Sequence, residues 1–129
     1  MNQTKLLSIQ GLRTEFPTPE GPMAAVNGVD LEATRGDVLG IVGESGSGKT
    51  VLGLSIMGLV DRPGRVTAGR IAFDGADVTN YSEAQWQGLR GHRIAMIFQD
   101  PTTSLNPVQR IGAQMIEALQ SHRDISRDA

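Results

Sequence analysis

The chain has 129 residues, which at about 100–200 residues per domain is one domain at most. A net charge of −2 argues against a strongly basic nucleic-acid binder, and three Phe, one Tyr and one Trp argue against a base-stacking platform. The absence of cysteine excludes a disulfide scaffold, an iron–sulfur cluster and thiolate zinc.

In chain order, Leu6 to Phe16 alternates weakly and reads as a strand, followed by a loop through Pro17, Pro19, Gly21 and Pro22. Ala24 to Ala33 reads as a second strand and Arg35-Gly36-Asp37 as a turn. Val38 to Val42 is wholly apolar apart from Gly40, the pattern of a buried strand. From Lys49 to Leu59, Leu52, Ile56 and Leu59 recur at helical spacing, so this segment is expected to form a mostly buried helix; Pro63-Gly64 breaks the chain after it. Ile71 to Phe73 reads as a strand entering a tight turn at Asp74-Gly75. Ser82 opens a helix to about Gly91, with Gln85 placed for a capping box. Ile94 to Phe98 is a second buried-strand pattern, and Asp100 to Pro107 a polar loop. Ile111, Met115, Ala118, Leu119 and His122 outline an amphipathic helix before a polar, frayed tail. No apolar run approaches the roughly 18–20 residues that span a bilayer, and the first residues lack a signal-peptide pattern, so a soluble cytosolic chain is expected.

Gly43-Glu44-Ser45-Gly46-Ser47-Gly48-Lys49-Thr50 fits the phosphate-binding pattern G-x-x-x-x-G-K-[ST] at every fixed position. Glycines open backbone conformations closed to other residues, so successive N–H groups can converge on an anion. A helix starting near Lys49 brings its positive dipole end to the same place. Lys49 is then the charge for the β- and γ-phosphates, and the Thr50 hydroxyl a ligand for Mg²⁺. Ser45 and Ser47 can add hydroxyl contacts, although small residues suit a tight loop regardless. Glu44 is expected to face solvent, because a carboxylate is repelled by phosphates. His92 and His122 have no carboxylate cluster beside them and read as a loop residue and a helix-end residue.

The run GIVGESGSGKTVLGLSIMGL, Gly40 to Leu59, resembles the ATP-binding subunits of ABC transporters, and MIFQDPTTSLNPV, Met96 to Val108, sharpens the likeness. The phrase SLNP is similar to the subfamily serving importers of dipeptides, oligopeptides and nickel. The resemblance runs from about Leu6 to His122. It implies an α/β fold: a P-loop NTPase-type core with an N-terminal antiparallel β part. Residues 1–36 would form the β-rich adenine side, and 37–129 the P-loop core through the Q-loop and the following helix. It implies ATP and Mg²⁺ as cofactors, with Gly43, Ser45, Gly46, Ser47, Gly48, Lys49 and Thr50 around the phosphates. Gln99, fifty positions after Lys49, would be the Q-loop glutamine that touches Mg²⁺ and the attacking water. Its bland alternative is a solvated loop residue. Phe16 stands where the family places an adenine-stacking aromatic; its alternative is packing at a strand end.

The same resemblance implies integral permease subunits and a second ATP-binding subunit as partners, no nucleic acid, and a peripheral position on the cytoplasmic face of the inner membrane. The family's LSGGQ-like signature, acidic Walker B strand and switch histidine do not occur in these residues. The expectation is therefore the N-terminal half of an import ATPase, able to hold Mg-ATP but poorly able to hydrolyse it. The alternatives are a nucleotide-binding or interaction fragment without turnover, and another P-loop enzyme. A GTPase would carry an N-K-x-D motif, which is absent.

Overall fold

The computed structural model describes residues 5–100 and 104–123. They fall into two compact units divided between Ser82 and Glu83.

The first unit is built on a four-stranded, wholly antiparallel sheet in the order β2-β1-β3-β4, with β1 Lys5–Thr18, β2 Gly21–Thr34, β3 Arg65–Phe73 and β4 Ala76–Asp77. The expected N-terminal antiparallel part is thus present, and it takes in residues 65–77 as well. β1 and β2 form a long hairpin from Lys5↔Thr34 to Thr18↔Gly21. Strict alternation would put Ile9, Gly11 and Arg13 on one face of β1. The buried residues are instead Ile9, Leu12 and Thr14. A bulge explains the change of phase: between Ile9↔Leu31 and Leu12↔Val29, β1 spends one residue more than β2. The same extra residue appears against β3, between Gln10↔Arg70 and Arg13↔Ala68. Gly69 of β3 crosses this bulge at φ 93°, and a Cβ there would lie 2.5 Å from the Gly11 carbonyl oxygen and 2.6 Å from Leu12 Cα.

The core of this unit combines Ile9, Leu12, Val26, Ile71, Phe73 and Val78 with Leu52 and Met57. The last two belong to helix α1, Lys49–Ile56, and the turn that ends it at Gly58. Asp74 and Gly75 both have positive φ, 48° and 83°, giving the tight β3–β4 turn that the Asp-Gly pair predicts. Arg35 Nη2 donates to Asp74 Oδ1 at 2.6 Å, tying the chain after β2 to that turn. Beside it, hydrogen bonds from the Thr79 hydroxyl and then its N–H hold the Asp77 carboxyl below its ordinary value of 3.8.

Two expected strands are not realised among the described residues. Val38 to Val42 has no ladder partner, and Val42 is 94% exposed. Ile94 to Phe98 forms only an isolated bridge, Arg90↔Ile94, and Ile97 is 97% exposed. The physical reason is shared. A continuous apolar strand is stable when neighbours cover both its edges and both its faces, and the four strands described supply neither run with a neighbour.

The second unit carries α2, Glu83–Leu89, and α3, Ile111–Gln120. Trp86 of α2 is buried, the Arg90 guanidinium lies 5.1 Å from its ring centroid, and Arg90 donates to Glu83 at 2.8 Å. The α3 face expected to be apolar is so, but Ile111, Met115 and Leu119 are all exposed. Gln114 fixes α3 to the preceding loop: its Nε2 donates to the carbonyls of Asn106 and Gln109, and its Oε1 accepts from the Asn106 N–H. The His92 and His122 rings stack with centroids 5.7 Å apart, a contact their separation of thirty positions did not suggest. Among the described residues no helix is long and apolar enough to cross a membrane.

Candidate nucleotide-phosphate site

The loop of residues 43–48 makes a turn at Ser45-Gly46 and bends before α1 begins. Ser47 N–H donates to the Glu44 carbonyl at 3.1 Å, and Leu52 N–H donates to the Gly48 carbonyl at 2.8 Å as the first helical bond. Gly48 caps the helix at φ 99°, a left-handed conformation that side chains resist. Its position is also sterically reserved, since a Cβ there would stand 2.3 Å from the Ala25 carbonyl oxygen. The glycine therefore allows the start of α1 to press onto β2.

Lys49, the first residue of α1, folds back over the loop. Its Nζ donates to the carbonyl oxygens of Gly43 and Glu44, at 2.5 and 2.8 Å, and to Ser47 Oγ at 3.2 Å. Three acceptors match the three N–H bonds of an ammonium. A Cβ on Gly43 would meet Ser47 Oγ at 2.5 Å and Lys49 Nζ at 3.7 Å. The space inside the loop is thus just what a glycine leaves open, with a cation on one side and the helix N-terminus on the other. That donor set suits a polyphosphate. Thr50 is exposed on the first turn of α1, its hydroxyl free for a hard cation, and Glu44 is exposed as expected. Among the described residues no cluster of three or more His, Cys, Asp or Glu is placed to hold a metal ion.

The underside of α1 holds the site to the sheet. Leu52 is buried, and so is Ser55, whose hydroxyl donates to the Val51 carbonyl at 2.7 Å and pairs with Thr14 Oγ1 of β1 at 2.7 Å. This buried hydroxyl pair was not legible as a site feature, because Thr14 and Ser55 lie forty-one positions apart.

Phe16 sits near the turn end of β1, paired with Met23. Ala25, which carries the carbonyl under Gly48, is two residues further along β2, or about 7 Å at a strand's rise. The aromatic ring and the start of α1 therefore share one end of the hairpin. Phe16 is half-buried. Gln99 belongs to the second unit, where it is exposed and outside any helix or strand. Of the loop that follows it, residues 101–103 lie outside the described residues.

A glycine-lined loop closed on a lysine at a helix start, beside an antiparallel sheet, defines a nucleotide-phosphate-binding domain of the P-loop type. The ABC transporter family model matches residues 26–127, and the chain belongs to that family. It is 47% identical over 118 residues to the dipeptide transport ATP-binding protein DppD of Escherichia coli (strain K12). It is 44% identical over 122 residues to the oligopeptide transport ATP-binding protein OppD of the same organism, and 45% over 127 residues to OppD of Bacillus subtilis (strain 168). These alignments cover 92%, 95% and 98% of the chain and 36% of each relative, so the chain spans about a third of the length of these curated relatives.

Proposed function

We propose that this chain binds ATP with Mg²⁺ as the phosphate-holding portion of an ATP-binding subunit that energises ABC-type import of peptides or related solutes. The observation that carries the reading is the closure of Gly43, Glu44 and Ser47 on the Lys49 ammonium at the start of α1. The relatives' printed roles in dipeptide and oligopeptide transport supply the solute class.

The roles divide by chemistry. Backbone N–H groups of residues 43–48 orient the phosphate chain, Lys49 neutralises charge at its β–γ end, and Ser45 and Ser47 add hydroxyl contacts. Thr50 and Gln99 would hold the cation. Mg-ATP, when bound, supplies an electrophilic γ-phosphorus whose charge the metal partly neutralises. Gln99 orients the attacking water, and Phe16 covers the base by stacking. In-line attack also needs an acceptor for the water's proton, and no residue of this chain is assigned that task. Residues 1–129 alone therefore bind nucleotide and turn it over slowly. The partners are integral permease subunits and a second ATP-binding subunit, and the place of work is the cytoplasmic face of the inner membrane. Transport by the assembled complex follows from those partners.

Thermal unfolding with and without Mg-ATP tests this. At 100 times its dissociation constant a ligand adds about 2.7 kcal/mol, a visible rise in midpoint. The rise is expected in the wild type and absent in Lys49→Ala. An equal rise in both proteins would sink the phosphate assignment.

A further inference from the structure

We propose that Gly64 is a positioning residue for the nucleotide base, acting through the Phe16 ring. The inference rests on the reading of Phe16 as the base-stacking aromatic. Gly64 immediately precedes β3, whose first residue Arg65 pairs with Glu15, the neighbour of Phe16. That register delivers Gly64 directly onto the ring. A Cβ at Gly64 would lie 2.3 Å from Phe16 Cε1 and 2.7 Å from both Cδ1 and Cζ. No real Cβ sits that close to a ring carbon, so any side chain at 64 must move the ring.

The requirement for glycine is steric and not conformational. Gly64 is not among the positive-φ residues, so alanine is compatible with its backbone. Its N–H donates to the Asp61 carbonyl at 2.9 Å, a bond that alanine retains. The effect of a methyl group therefore passes to the ring, whose other neighbour across the ladder is Met23. Displacing the ring alters stacking on a base while leaving in place the phosphate loop, whose Gly48 lies against Ala25 and whose helix is tied to β1 through Ser55 and Thr14.

The test is calorimetric titration of the chain with Mg-ATP and, separately, Mg-tripolyphosphate, which has no base. Wild type, Phe16→Ala, Gly64→Ala and the double variant are compared, with a melting curve for each. Phe16→Ala is expected to weaken ATP roughly 5- to 150-fold, the span of one base–aromatic stack, without changing tripolyphosphate binding. Gly64→Ala is expected to weaken ATP by a comparable factor, again sparing tripolyphosphate. The double variant is expected to bind ATP no more weakly than Phe16→Ala, and to recover any melting temperature that Gly64→Ala loses. Wild-type ATP affinity in Gly64→Ala, an equal loss for both ligands, or additive losses in the double variant would overturn the role of Gly64 while leaving that of Phe16 intact. Unchanged ATP affinity in Phe16→Ala would remove the base-stacking reading, and the role of Gly64 with it.

Discussion

Ser55 and Thr14 show how a single buried hydroxyl pair can hold a functional element. Ser55 reaches both the Val51 carbonyl and Thr14 Oγ1, so it belongs at once to α1 and to β1. Ser55→Ala removes the shared member and leaves the buried Thr14 hydroxyl without that partner, at an expected cost of about 1–3 kcal/mol. Thr14→Val is expected to cost less, because Ser55 keeps its bond to Val51. Urea denaturation midpoints of the two variants would rank them, and the reverse order would show that the pair does not work this way. At this scale the sequence was informative wherever chemistry is written in consecutive residues. Gly43 to Thr50 is legible because the backbone geometry, the cation and the helix start are specified within eight positions. Thr14 with Ser55 and Phe16 with Gly64 were not legible, since the first is made by α1 packing on β1 and the second by the register of β1 with β3.

Among elements, β1 is organised by its bulge. The bulge lets Ile9 and Leu12 face the same core although they are three residues apart, and Gly69 is the residue of β3 that can cross it. Gly69→Ala places a Cβ against backbone atoms of Gly11 and Leu12 at an unfavourable φ, so a loss of about 2 kcal/mol or more is expected in chemical denaturation. A loss of a few tenths would mean that the bulge yields easily. Sequence pattern placed β1, β2, α1, α2 and α3, but it shortened β1 and β2 at both ends and saw only the last third of β3. Arg65 to Arg70 carries Gly, Thr and two Arg in place of an alternating apolar face, and it is strand because β1 pairs with it. The opposite error occurred at Val38 to Val42 and Ile94 to Phe98. There the apolar pattern records a buried environment, and pairing, which no pattern contains, decides whether a strand forms.

At the level of the whole molecule, each unit leaves large apolar side chains exposed: Val38, Leu39, Ile41 and Val42 in the first, and Ile97, Phe98, Ile111, Met115 and Leu119 in the second. Self-association at high concentration is therefore expected. Val38→Lys with Val42→Lys should reduce it in light scattering while leaving the far-ultraviolet spectrum of the antiparallel sheet unchanged. Undiminished scattering would place the sticky surface elsewhere. The fold class was readable from the sequence through the P-loop and the SLNP-containing run, and the family match over residues 26–127 agrees with it. What the sequence could not convey was how these residues divide in space. The antiparallel sheet with α1 makes one unit to Ser82, and α2, Gln99 and α3 make another.

The closed lysine also has a consequence for selectivity. Lys49 already spends its three N–H bonds on two carbonyls and a hydroxyl, so an arriving anion must displace partners instead of meeting a bare charge. The gain is then only the difference between charged and neutral acceptors, about twofold in bond strength. One small anion recovers little from that exchange. A chain of phosphates that engages the loop amides, the helix start and the ammonium together recovers it several times over. On the proposed reading, a loop that guards its cation with its own backbone would discount simple anions and favour a ligand long enough to grip it at every point.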